Sequence, residues 1–212
     1  MLTQPATAAS PAPIDLKSCA PFAILACTTT TSTGGGTVYG HVGLYPAGSQ
    51  GILPTQVEGT LYNGGPIADQ AQLDLSAAII SASPAQLPGG IDVGDGELGG
   101  RDLAPGVYQS ASGAYGIDLA DLTLTGGSND VWVFQMASTL TVNVGRKVVL
   151  AGGAQAQNVF WQVGSSATLD VSSEVKGTIM AYASITMNAS ARLDGRALAQ
   201  TGAVTFNGLY VR

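Results

Sequence analysis

The sequence predicts an all-β-dominated chain wound as a three-faced, triangular β-solenoid, with one long α-helix packed along one face. Three observations predict it. The composition is unusual: 212 residues include 29 glycines, 45% are hydrophobic and only 10% are charged, against roughly 25% charged in ordinary soluble domains. That mixture suits many short strands joined by tight turns. The C-terminal half repeats itself, and a single segment before it carries helical spacing.

The repeat has columns. Five segments align: Leu122 to Thr125, Leu140 to Asn143, Ala167 to Asp170, Ile185 to Asn188 and Val204 to Asn207. Their threonines, Thr123, Thr141, Thr168, Thr186 and Thr205, are offset by 18, 27, 18 and 19 residues. Each segment alternates apolar and polar with period two, so each reads as a strand with one buried face. Leu140, Ala167, Ile185 and Val204, with Val142, Leu169, Met187 and Phe206, form the expected inward columns.

A second strand set precedes these: Val131 to Met136, Asn158 to Val163, Gly177 to Ala181 and Arg196 to Gln200. It is apolar on both faces, as in Trp132-Val133-Phe134, and is therefore covered on both sides. A third set, Lys147 to Leu150, Glu174 to Lys176 and Arg192 to Asp194, has charged outward positions and faces water. Three strands in about 18 residues describe a β-helix of triangular section, with coils stacked about 4.8 Å apart. The 27-residue step needs an insertion, which Gly152 to Gln157 supplies.

The spacing of Ile67, Ala68, Ala71, Leu75, Ala78, Ile79 and Ala82 predicts a helix over about 67–83, with Pro66 in its first turn and Pro84 ending it. Its apolar side needs a surface, and the doubly apolar strand set offers one. Residues 84–106, rich in glycine and acids, read as a cap loop. Thr37 to Val42 and Val57 to Tyr62 are expected to add strands to the same solenoid. Residues 1–13 read as a flexible N-terminal segment without the n- and h-regions of a signal peptide, and 14–212 as one domain.

Charge and residue type exclude several functions. The net charge is −6, with eight basic residues scattered along the chain, so no stripe for nucleic acid exists. No apolar run is long enough to cross a membrane as a helix. The lone His41 lacks a nucleophile motif and is expected to be structural. Asp92, Asp95, Glu97 and Asp102 do not follow calcium-loop spacing and read as solvated cap residues. No catalytic residue, cofactor or metal site is expected, so the chain does not read as an enzyme. Cys19 and Cys27 either form a short-range disulfide or remain two buried thiols; the disulfide is the expected form and implies an oxidising compartment.

Several of these segments carry a resemblance. Asn158 to Leu169 (NVFWQVGSSATL), Gly177 to Ala181 (GTIMA), Ser184 to Asn188 (SITMN) and Gly195 to Ala199 (GRALA) resemble the microbial ice-binding proteins with a discontinuous β-solenoid and a flanking helix. Leu103 to Tyr108 (LAPGVY), Ser18 to Ala26 (SCAPFAILA) and the helix position match as well, so the likeness runs from about residue 14 onward. The resemblance implies a discontinuous winding, in which the N-terminal strands lie between coils made later in the chain. It also implies secretion and adsorption to ice on one flat face.

The threonine strands are the expected face, since the charged set holds its own hydration shell and the helix covers the third side. Thr123, Thr141, Thr168, Thr186 and Thr205 would form one column, and Thr125, Asn143, Asp170, Asn188 and Asn207 the next, with Asp170 ill-suited to ice. Thr37 and Thr60 would extend the face through the N-terminal coil. The expected partner is an ice crystal surface, met by a monomer that is secreted or carried at a cell surface. Stacked Thr and Asn also occur on solenoids for strand propensity and ladder bonding alone. A structural or adhesive module, or a polysaccharide-binding or polysaccharide-degrading β-helix, is therefore the alternative.

Overall fold

Each turn of the chain contributes three short strands whose apolar residues point into one shared interior. The computed structural model describes residues 10–211, and for 208–210 the backbone alone. The expected flexibility of residues 1–13 falls largely outside this range. Ser10 Oγ accepts a hydrogen bond from the Val131 amide, 2.9 Å.

Three parallel ladders form the prism. The first stacks Gly106–Gln109, Trp132–Met136, Val159–Val163 and the second halves of Glu174–Ala181 and Arg192–Ala199. Phe22–Ala26, His41–Leu44 and Leu61–Asn63 continue it. The second stacks Tyr115–Ile117, Leu140–Val142, Ala167–Leu169, Ile185–Met187, the start of Val204–Val211, the start of Thr29–Tyr39, and Ser49–Gly51. The third begins with Asp102–Leu103, Leu122–Thr125 and Val148–Ala151. It passes through a Lys147–Glu174 bridge to the first halves of the two long strands and on to Val57–Glu58.

The winding is discontinuous, and the N-terminal strands stack beyond the last C-terminal coil rather than between later coils. Leu25 pairs with Leu198 on one side and Gly43 on the other. The reason is the helix, Pro66–Ser81. Its 16 residues carry the chain back about 24 Å along the axis, so winding restarts at the far end and closes onto the first coil. Its observed bounds begin at Pro66, which needs no amide partner at that position.

The helix lies on the doubly apolar ladder, as its two-sided pattern predicts. Leu75, Ala78 and Ile79 pack with Val133, Phe160, Met180, Leu198 and Leu25. Each fully buried large aliphatic contributes about 1.5–3 kcal/mol. Polar bonds set its position: Gln135 donates from Nε2 to the carbonyls of Ala82 (2.9 Å) and Leu87 (2.8 Å), closing the helix C-terminus. Gln72 donates to Ala199 and Gln200 to Ser76 midway along. At the other flank Ser18 donates to Asp74, and Arg196 Nε donates to Ala20, 2.7 Å.

Inside the prism, Tyr108, Phe134 and Trp161 stack at 5.4 and 4.2 Å between ring centroids. The Trp132 and Trp161 indole N–H groups each reach a carbonyl, of Leu103 and Lys176. In the 18- and 19-residue coils that hold Glu174–Ala181 and Arg192–Ala199, one strand bends through a corner without a loop. Gly177 and Gly195 pair at that corner, and a Cβ on Gly195 would strike the Gly177 backbone. The longer coil turns the same corner through a loop ending in the 3-10 turn Ala156–Asn158, which overlaps the insertion expected at Gly152 to Gln157 and runs one residue past it.

The cysteines correct the expected disulfide: both are free thiols. The strand Phe22–Ala26 lies between them and spans about 16 Å at ~3.3 Å per residue, whereas a disulfide needs Cα atoms within about 7 Å. Cys19 is buried beneath the helix, where its thiol bonds the Leu16 carbonyl. Burial foremost, then the nearby Asp74, pushes it up to about 11.

Candidate functional site

The outward middle positions of the second ladder form one column. Thr141, Thr168, Thr186, Thr205 and Thr31 stand in register on five successive strands. Gly116 precedes them and Gly51 follows. On either side of the first four threonines an inward residue locks the backbone: Leu140 and Val142, Ala167 and Leu169, Ile185 and Met187, Val204 and Phe206 are all buried. Rigid parallel ladders hold the threonines about 4.8 Å apart over a length near 19 Å. All five are half-buried, and a β-branched side chain adds its own stiffness at χ1.

The same registers place Thr139, Ser166, Ser184, Ala203 and Thr29 one step before the column, and Asn143, Asp170, Asn188, Asn207 and Thr33 one step after it. Asn143, Asp170 and Asn188 fall just past their strand ends, so they form a rim rather than a second flat row. This accommodates Asp170. Its Oδ1 accepts from the Val171 amide and from Asn188 Nδ2, each at 3.0 Å, which turns the carboxylate along the corner.

Four expected face residues lie elsewhere. Thr123 pairs with Asp102 and Val149 on the third ladder, and Thr125 Oγ1 donates to Asp102 at 2.7 Å. A Leu-Thr-Leu-Thr run alternates identically on either face, so its period cannot tell which face it joins; the corners decide that. Gly116 takes the place expected for Thr123. Thr37 pairs with Tyr210 on the third ladder, and Thr60 is exposed at the turn between Val57–Glu58 and Leu61–Asn63.

Thr29, Thr31 and Thr33 were not expected on the face. Their run, Thr29 to Thr33, contains no apolar residue, so hydrophobic alternation offers no phase. Pairing with Val204 to Asn207 supplies it and turns Thr30 inward, fully buried, opposite Gln50. Only a regular spacing between the chain's two ends could have revealed these residues, and the winding has none.

The surroundings separate this face from the charged one. The third ladder carries the ion pairs Lys147–Glu174 (2.8 Å) and Lys176–Asp194 (3.3 Å). At the Gly116 end a hollow is lined by Asp95, Glu97, Asp118 and Thr141 among others. There burial, then Glu97, pushes the Asp118 carboxyl up. Among the described residues no group of His, Cys, Asp or Glu could hold a metal ion. His41 packs edge-on against Phe22 and Tyr62 and accepts the Thr60 amide at Nδ1, 3.0 Å, a structural arrangement.

A model of the family described as ice-binding-like matches residues 24–212. An ice-binding protein of Flavobacterium frigoris (strain PS1) is 36% identical over 201 residues, covering 89% of this chain and 72% of that protein. One from Nostoc sp. (strain HG1) is 38% identical over 191 residues, covering 88% and 69%. The crystal structure of an ice-binding protein from an Antarctic biological consortium superposes with a TM-score of 0.89 at 40% identity, covering 95% of this chain and 92% of that one. With the solenoid, the returning helix and these likenesses together, the chain belongs to the ice-binding-like family.

Proposed function

We propose that this chain adsorbs to ice through the Thr141–Thr168–Thr186–Thr205–Thr31 face and thereby restrains ice growth. The supporting observation is the in-register column of five threonines on a ladder whose strands carry no charged residue. Ice presents ordered water without net charge. Threonine meets it with a methyl group that organises neighbouring water and a hydroxyl that anchors it. The stiff backbone and restricted χ1 mean that little freedom is lost on adsorption. Adsorbed molecules pin the ice front, which curves between them and stops advancing; no turnover is involved.

Secretion and a monomeric state are part of this reading: ice forms outside cells, and one face of one molecule suffices. The carboxylates a polysaccharide-cleaving pair would use are separated. Asp170 lies at the rim of the threonine face and Asp194 opposite Lys176 on the charged face. The direct test is ice-crystal shaping and thermal hysteresis of the purified chain. Faceted crystals and a hysteresis gap support the reading, and round crystals with no gap overturn it.

A further inference from the structure

The chain contains Asn-Gly twice, at Asn63-Gly64 and Asn207-Gly208. This dipeptide is prone to one spontaneous reaction, because glycine has no side chain to hinder its own nitrogen. The fold treats the two sites differently. Asn63 is locked: its Nδ2 donates to the Gly48 carbonyl (3.1 Å), its Oδ1 accepts from the Gly48 amide (3.0 Å), and the Gly64 amide is spent on the Leu44 carbonyl (2.7 Å). Asn207 is exposed at the rim of the threonine face, and its side chain has no hydrogen-bond partner among the described residues. The ladder register shifts between Asn207 and Leu209, so Gly208 lies at an irregularity in the pairing. Opposite it lie Gly34 and Gly35, both at positive φ.

We propose that Asn207 is a self-modification site at which the protein deamidates. The Gly208 backbone nitrogen attacks the Asn207 side-chain carbonyl carbon and forms a C–N bond. The side-chain amide leaves as ammonia, taking the proton from the Gly208 nitrogen, and a succinimide ring remains. Water then opens the ring at either carbonyl, giving aspartate or isoaspartate. The net change is the amide plus water going to the acid plus ammonia, with no oxidant, reductant or metal. Either product places a carboxylate on the rim beside Asn188. Isoaspartate also lengthens the backbone by one methylene next to Thr205, in the strand that joins the two ends of the chain. The consequence for activity rests on the proposed ice-binding reading; the modification itself does not.

The test ages the native full chain in mildly alkaline buffer below its melting temperature, then follows both Asn-Gly peptides by mass spectrometry. Three hydrogen bonds must break at Asn63 before the ring can close, so Asn207 is expected to convert at least about tenfold faster. In urea-unfolded protein the two rates should become similar. Equal rates in the native protein, or no conversion at Asn207, overturn the proposal. A second measurement compares Asn207→Asp with Asn207→Gln, both checked for folding. Reduced hysteresis in the first relative to the second is expected, because position 207 is exposed and lacks the bonds from Val171 and Asn188 that hold the rim carboxylate of Asp170. Unchanged hysteresis in Asn207→Asp and in the aged protein overturns the functional half. Inactive unmodified protein with normal conversion at Asn207 would sink the ice-binding reading and leave the modification standing.

Discussion

Thr31 and Thr205 are neighbours in one parallel ladder, although they come from opposite ends of the chain. The threonine face is therefore completed only when the first coil closes onto the last. Replacing Thr31 by Tyr should remove most of the thermal hysteresis, as should Thr186→Tyr. Thr123→Tyr, on the charged side, should leave it near wild type. Ice shaping together with circular dichroism checks all three. If Thr123→Tyr is the damaging variant, the working face is misassigned.

Arg196 joins the two chain ends from the helix side, bonding Ala20 and Thr178. Its loss strands a charge-assisted hydrogen bond, so Arg196→Ala should cost about 1.5–3 kcal/mol. The loss should first appear as faster hydrogen exchange in Phe22–Ala26. Arg196→Lys should not restore protection, because an ammonium lacks the planar fork that reaches both partners.

Gln135 is fully buried and bridges two carbonyls at the end of the helix. Gln135→Ala leaves both without that donor, and denaturant unfolding should show a loss of roughly 1–3 kcal/mol. An unchanged midpoint would mean that the helix is held by apolar contact alone.

With two free thiols, a reducing agent should not shift the melting temperature. Thiol reagent should label Cys27 in the native protein and reach Cys19 only after unfolding, since Cys19 is buried with its thiol pushed up to about 11. A reagent-silent protein that becomes reactive on reduction would show a disulfide after all.

The Ser18 hydroxyl, foremost, holds the Asp74 carboxyl below its ordinary value. A depressed carboxylate stabilises the fold above its unfolded value, near ~3.9, and that contribution is lost as pH falls through the folded value. Asp74→Asn should therefore be slightly less stable than wild type at neutral pH, and the difference should vanish in strong acid. A difference that persists in acid would assign the effect to packing. Glu174 shifts in the same direction through Lys147, but the pair is exposed and contributes little.

The sequence by itself determined the strands from Leu122 to Asn207, the helix and its covered face, and four of the five column threonines, but not Gly106–Gln109 or Tyr115–Ile117. Period-two alternation at Leu140, Ala167, Ile185 and Val204 leaves one way to bury a strand, and helical spacing from Ile67 to Ala82 leaves one apolar side. The family itself was also legible, from motifs such as Gly195 to Ala199. Tertiary structure decided the remainder. Local alternation is blind to which face a strand joins, so Thr123 reads like Thr141 until the corners place it beside Asp102. Alternation is silent where no apolar residue marks the phase, so Thr31 has an address only through its pairing with Thr205. That pairing depends on a helix that reverses the chain, and no local period encodes where a returning chain will close.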